Sequence, residues 1–196
     1  MPEKISKYMK YNNVINFIDG NFINPSSERY LEIISPIDGA PLSKVGLSSY
    51  QDLDAAVIAA KKAFAAWSKT PIKERVQVFY RYRSLLEKNL QSLAELCSEE
   101  NGKTIGESIA EIQKSIELTE FACSLPQLIG GEVLEVSRGV ECRIEHVPLG
   151  IVASIVPFNF PNMVPNWTIP NAIALGNCMI LKPSEKVPLS AGKQNY

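Results

Sequence analysis

Apolar positions along this chain keep three successive rhythms: short alternating runs, then steps of three and four residues, then unbroken stretches. The first rhythm opens with Phe17-Ile18-Asp19-Gly20-Asn21-Phe22-Ile23, which predicts a small hairpin with Asp19-Gly20 as its positive-φ turn. A second hairpin is expected from Tyr30 to Ile34 and Pro41 to Val45, turning at Asp38-Gly39. Residues 1 to 13 are polar and read as loose.

The helical rhythm starts at Ser49, which can cap a helix with Asp52 at capping-box spacing. Val57, Ala60, Phe64 and Trp67 then fall on one face. Thr70-Pro71 predicts a restart, with Thr70 as cap and Pro71 as first helical residue. Val76, Phe79, Tyr80 and Leu86 are its expected inner face. A third helix over Leu90 to Glu100 should stop at Asn101-Gly102. Thr104-Ile105-Gly106-Glu107 opens a fourth, with Ile105, Ile109, Ile112 and Ile116 toward the core.

The texture changes at Leu125. Glu132 to Val136 and Val140 to Val147 read as two extended runs joined by Ser137-Arg138-Gly139. Polar residues alternate through the second run, which predicts a two-sided strand outside the main core. Such a hairpin is not stable alone and must lie on its own chain or on a partner subunit. Then Gly150 to Val156 is almost wholly apolar and β-branched, the pattern of a parallel strand buried on both faces. An apolar helix from Met163 to Leu175 and a strand Cys178 to Leu181 complete a βαβ unit.

Composition narrows the function classes. A formal net charge of -1 without a basic block argues against nucleic-acid binding. No apolar run approaches the roughly 20 residues that span a bilayer, and the first residues lack a signal-peptide core, so a cytoplasmic location is expected. The 4 cysteines form no Cys-x-x-Cys pair and read as small buried apolar residues, leaving no metal site. His146 is the only histidine, in a strand-like run, and is a poor basis for a His-dependent triad.

In an open parallel sheet, ligands bind beyond the carboxyl ends of the strands. Here those ends are Val156-Pro157-Phe158-Asn159-Phe160-Pro161 and Lys182-Pro183-Ser184-Glu185. Side by side they would form one rim bearing an amide, a cation and a carboxylate. Neither a Gly-x-Gly-x-x-Gly turn nor a Gly-Lys-Ser/Thr phosphate loop is present. On spacing alone, the Pro-rich turn also reads as punctuation and Lys182 and Glu185 as a solvated strand end.

The run Pro148 to Pro161, then Asn171-Ala172-Ile173-Ala174-Leu175-Gly176-Asn177, then Leu181-Lys182-Pro183-Ser184-Glu185, resembles the NAD(P)-dependent aldehyde dehydrogenase superfamily. Ile18-Asp19-Gly20, Ser35-Pro36, Ala63-Phe64-Ala65-Ala66-Trp67 and Glu100-Asn101-Gly102-Lys103-Thr104 fit the same family. The likeness runs from Asn16 to Ser190. Phe158, where many members carry tryptophan, together with Met163-Val164-Pro165 and Phe121-Ala122-Cys123-Ser124, resembles the methylmalonate-semialdehyde, CoA-acylating branch. Asn166, Thr168 and Asn171 are more polar than that helix usually is.

The resemblance implies an α/β fold: the N-terminal part of the aldehyde dehydrogenase fold, with an incomplete Rossmann-like parallel sheet, a helical front and an oligomerisation hairpin. It divides the chain into hairpins and helices of the cofactor domain (1–124), the hairpin (125–148) and the first βαβ of the NAD sheet (149–196). Asn159 resembles the asparagine whose amide holds the substrate oxyanion. Val156 and Phe158 resemble cofactor-wall positions, Val156 through its backbone. Lys182 and Glu185 resemble the pair that grips the adenosine ribose, with Lys186 beside them. A carboxylate at Glu185 would repel a 2′-phosphate and so favours NAD over NADP.

Members of the family attack the aldehyde with a cysteine thiolate, pass hydride to NAD and release the acyl group to water or CoA. That cysteine is expected beyond residue 196, and Gly192 to Tyr196 leave the family pattern. The resemblance therefore implies a small aldehyde substrate, NAD, CoA as possible co-substrate and a homo-oligomer for a full-length relative. The shortened length has three explanations: a truncated gene, a frameshift or a deliberate shortening. The alternatives to catalysis are a fragment that associates with full-length subunits and a decayed gene product.

Overall fold

The computed structural model describes residues 9–192. Hairpin β1 (Asn16–Ile18) and β2 (Asn21–Ile23) turns through Asp19 at φ 51 and Gly20 at φ 77, the geometry that Asp-Gly favours. Strands β3 (Tyr30–Ile34) and β4 (Pro41–Gly46) form the second antiparallel pair. Of the segment expected to be loose, residues 1–8 and the departing residues 193–196 lie outside the described residues. Residues 10–14 are tied down instead. Tyr11 and Val14 donate backbone N–H groups to Leu42 and Lys44 of β4 at 2.9 and 2.8 Å. The Tyr11 hydroxyl donates to Glu99 at 2.8 Å.

Four helices follow: α1 (Tyr50–Trp67), α2 (Ile72–Lys88), α3 (Leu90–Asn101) and α4 (Ile105–Leu128). Both predicted capping boxes form, Ser49 with Asp52 and Thr104 with Glu107. The restart at residue 71 differs by one position. Pro71 is itself the N-cap, and the Thr70 hydroxyl turns back to Ala66 O, so no side chain caps α2. Val76, Phe79 and Leu86 are buried, but Tyr80 is half exposed and Tyr82 takes its inward place. Likewise Ile112 and Ile116 reach the core while Ile105, in the first turn, does not. The apolar cluster joins α2, α4 and α5 (Met163–Ala174) through Val76, Phe79, Ala122, Leu125 and Ala174.

Strands β5 (Glu132–Ser137) and β6 (Val140–Ile144) pair as expected, and every residue of both is exposed. Pairing ends at Ile144, so His146 lies past the strand. Cys142 shares this exposure, against the expectation of four buried cysteines; Cys97 and Cys123 are buried and Cys178 is intermediate. Burial requires a covering layer, and the hairpin has none among the described residues.

The βαβ unit is present: β7 (Ile151–Ile155) and β8 (Cys178–Lys182) pair in parallel, with α5 between them in sequence. α1 and α5 both contact this sheet. The expected burial of β7 on both faces is not found: Ser154 and the following Val156 are buried, yet Ile155 is 80% exposed. A two-stranded sheet leaves part of each face and an edge without cover. Arg75 locks the turn between α5 and β8, donating to Ala174 O at 2.7 Å and Thr70 O at 2.5 Å. Gly176 is required there: at φ 93, a Cβ would lie 2.7 Å from Pro148 Cγ and 3.0 Å from Arg75 Nη1. The short α6 (Leu189–Gly192) ends the described chain.

Candidate functional site

The register of the parallel pair sets Ile155 opposite Lys182, so the two strand ends adjoin. Val156 N–H donates to Lys182 O at 3.2 Å and continues the ladder one residue further. The amide-bearing turn and the charged turn expected from sequence are thus neighbours. Lys182 Nζ donates to Glu185 Oε2 at 2.9 Å, with both side chains about half exposed. The Lys182 hydrogen bond, followed by the Glu185 backbone N–H, holds the Glu185 carboxyl below its ordinary value. It is an ionised acceptor at neutral pH. Lys186 Nζ lies 5.1 Å from the centre of the Phe158 ring and so links the two turns. Val156 is buried, whereas Phe158 and Asn159 are exposed.

Behind this rim lies a polar seam that no periodicity reading detects. Ser108, Glu111, Ser115 and Thr119 form a fully buried stripe along α4. Glu111 Oε1 accepts the backbone N–H groups of Asn162 and Met163 at 2.8 and 3.1 Å, closing the start of α5. Its other oxygen pairs with Lys103. Ser115 Oγ donates to Asn162 Oδ1 at 2.8 Å, and Tyr82 Oη donates to Asn166 Oδ1 at 2.9 Å. Burial pushes the Tyr82 hydroxyl pKa up, so it stays protonated and a donor. This accounts for Asn166, which is 0% exposed and bonded on both ends of its amide. Thr168 bonds Pro165 O and Ser154 Oγ.

The segment at the end of α3 reaches the rim as well. Asn101 Nδ2 donates to Phe158 O at 2.7 Å. Glu100 accepts from the backbone N–H groups of Leu189 and Ser190 at 2.7 and 2.8 Å. The Lys103 ammonium sits 3.9 Å from the Phe160 ring centre. Only the Glu-Asn-Gly-Lys-Thr run itself signals these contacts in sequence.

A thiolate nucleophile is not prepared at the buried cysteines. Burial, with Glu111 and Glu100 nearby, pushes Cys97 up to about 12, and burial also raises Cys123 and Cys178. His146 is exposed, with Nδ1 3.1 Å from Gly130 O. Among the described residues, no cluster of three or more His, Cys, Asp or Glu could hold a metal ion, and no helix is long and apolar enough to cross a membrane. A cleft of about 700 Å³ opens elsewhere, between the start of α2 and the β5–β6 hairpin, lined by Arg75, Arg143 and His146 among others. It contains none of the rim residues. The rim lies instead at the strand ends, where exposed Phe158 and Phe160 stand beside the half-exposed Lys182–Glu185 pair, the place where parallel sheets bind ligands.

The fold is a partial α/β unit whose parallel strand pair brings two strand-end turns together. Residues 22–194 match the aldehyde dehydrogenase family, and the chain belongs to it. It is 44% identical over 179 residues to malonate-semialdehyde dehydrogenase 2 of Geobacillus thermodenitrificans (strain NG80-2), covering 91% of this chain and 37% of that relative. A crystal structure from Sinorhizobium meliloti 1021, assigned as a methylmalonate-semialdehyde dehydrogenase and complexed with NAD, superposes with a TM-score of 0.92 at 38% identity. That match covers 96% of this chain and 38% of the other. Methylmalonate-semialdehyde dehydrogenase from Oceanimonas doudoroffii gives a TM-score of 0.90 at 36% identity, covering 94% and 38%. The chain therefore spans little more than a third of the length of these relatives, all from the malonate- and methylmalonate-semialdehyde branch.

Proposed function

We propose that this chain carries the adenosine-side rim and the oxyanion donor of an NAD-dependent aldehyde dehydrogenase acting on a semialdehyde of the malonate or methylmalonate type. The Lys182–Glu185 pair at the adjoining ends of β7 and β8 carries the reading. The residues fit the cofactor. An exposed, ionised carboxylate beside an ammonium supplies an acceptor and a donor to a vicinal diol. The same carboxylate repels a 2′-phosphate, which favours NAD over NADP. When bound, NAD supplies the hydride acceptor. Val156 through its backbone, Phe158 through its ring and Lys186 through its charge form the wall against which the nucleotide is oriented. Asn159 presents an exposed amide donor for the negative charge that develops on a substrate carbonyl oxygen.

The division into hairpins and helices of the cofactor domain (1–124), a hairpin for oligomerisation (125–148) and the first βαβ of the NAD sheet (149–196) belongs to the same reading. So do a cytoplasmic location, a homo-oligomeric assembly and release of the acyl group to CoA. Burial raises Cys97, Cys123 and Cys178, which argues against these three as the nucleophile. A second reading, association with a longer subunit, is favoured by the exposed apolar residues of the hairpin.

Calorimetric titration of the chain with NAD and NADP tests the rim. NAD should bind more tightly than NADP, and Lys182→Ala with Glu185→Ala should abolish NAD binding. NAD binding that survives the double substitution would overturn the assignment. An assay with NAD, CoA and malonate semialdehyde should give no turnover; activity lost on Cys178→Ala would overturn the inactive reading.

A further inference from the structure

We infer that Glu100–Lys103 is a bracket that positions both turns of the nucleotide rim, with Glu100 and Asn101 as its positioning residues. The inference rests on the reading of that rim as the cofactor site.

Helix α3 ends at Asn101, and Gly102 reverses the chain at φ 82, a left-handed conformation a side chain would strain. A Cβ at Gly102 would also lie 2.9 Å from Pro36 Cγ. This tight reversal sends neighbouring side chains to different targets. Glu100, 2% exposed, reaches the backbone N–H groups of Leu189 and Ser190. It therefore anchors the chain just downstream of Lys182, Glu185 and Lys186. Asn101 takes Phe158 O, inside the turn that carries Asn159. Lys103 stacks on Phe160 and pairs with Glu111, which holds Asn162 and Met163 at the end of the same turn.

Each turn is thus fixed at both ends, by the β7–β8 ladder on one side and by contacts from this segment on the other. Without the second anchor, a turn hinged on one strand end would not hold Asn159 or Glu185 at one distance from a ligand. Site geometry depends on such supporting contacts. Asn101 separates positioning from packing. It belongs to none of the apolar clusters, and among the described residues its one side-chain bond goes to the rim backbone.

The test uses the full chain, with amide hydrogen exchange over residues 156–160 and 182–190 and calorimetric titration with NAD. Asn101→Ala should speed exchange over 156–160 and weaken NAD binding about five- to tenfold, the loss of one hydrogen bond, while the melting temperature stays within a few degrees. Glu100→Gln should speed exchange over 182–190. Should that variant unfold, Asn101→Ala still decides. Wild-type exchange at the rim in Asn101→Ala would overturn the bracket, and so would a melting loss that accounts for all of the change in affinity. A wild-type chain that binds no NAD would sink the cofactor reading, and the exchange rates would still decide the bracket.

Discussion

The helices α2 to α4 and the β5–β6 hairpin carry comparable apolar residues, yet only the helices bury them. Phe79, Leu86, Leu93 and Ile112 are at most 3% exposed, whereas Val133 and Leu134 are each 64% exposed. Hydrophobicity does not distinguish the two regions; topology does. α2 and α3 both pack on α4, and α4 packs on α5, so each apolar stripe meets another helix. A two-stranded ribbon shows two faces and meets no layer of its own making. The β7–β8 sheet stands between them: α1 and α5 contact it, but Ile155 remains open.

The largest effect should come from cutting into the closed region. Phe79→Ala should lower stability by about 3–5 kcal/mol, while Val133→Ser should stay within about 0.5 kcal/mol. Urea denaturation followed by circular dichroism measures both. Equal losses would mean that the hairpin is covered in solution. A Val133→Ser loss that grows with chain concentration would place that cover on a second copy.

Burial of charge sharpens the contrast further. Desolvation lifts Glu100 from its ordinary 4.5 to about 7, against the opposing bonds from Ser190 and Leu189. Between those values the folded chain keeps a proton that the unfolded chain has released. Stability should therefore fall as pH rises from about 5 to about 7.5, by roughly 3 kcal/mol. Groups held below their ordinary values, Asp52 and Glu185 among them, act in the opposite sense at lower pH and leave this window clear. Glu100→Gln should flatten the slope. An unchanged slope in that variant would assign it to another group.

At the surface of the same helical region the effects become small. Thr104 Oγ1 accepts from Glu107 N at 3.2 Å, and Glu107 Oε2 accepts from Thr104 N at 3.0 Å. Thr104→Ala should cost about 1 kcal/mol. A loss below about 0.3 kcal/mol in urea denaturation would show that the start of α4 is held by Lys103–Glu111 instead.

Local rules read well in sequence wherever the partner is near. Ser49, Thr104, Asp19-Gly20 and Gly102 each fix a cap, turn or stop through bonds within a few residues, and each appears as expected. The parallel pairing of β7 and β8 was legible because two short, largely apolar runs flank one apolar helix. The two rim turns were legible as strand ends. What was hidden depends on distance. Glu111 and Ser115 look like ordinary polar helix positions until Asn162, 51 and 47 residues away, supplies their partners. Asn101 gives no periodic signal, because its partner is one carbonyl oxygen 57 residues on. Ile155 was misplaced because a continuous apolar run states what a strand can bury, not what covers it.

The smallest structural effect should fall on the rim itself. Lys182 and Glu185 are three residues apart and about half exposed, so water competes for both charges. An exposed pair of this kind is worth about 0–1 kcal/mol. Lys182→Ala should therefore leave the melting curve nearly unchanged, and added salt should change it little. If the pair serves the nucleotide, the same substitution should weaken NAD binding by about tenfold, the loss of a charge-assisted hydrogen bond. Thermal melting and NAD titration of one variant thus separate two explanations of one ion pair. A melting loss with NAD affinity intact would make the pair a stabilising strand-end contact, and the rim would lose the residue on which its assignment most depends.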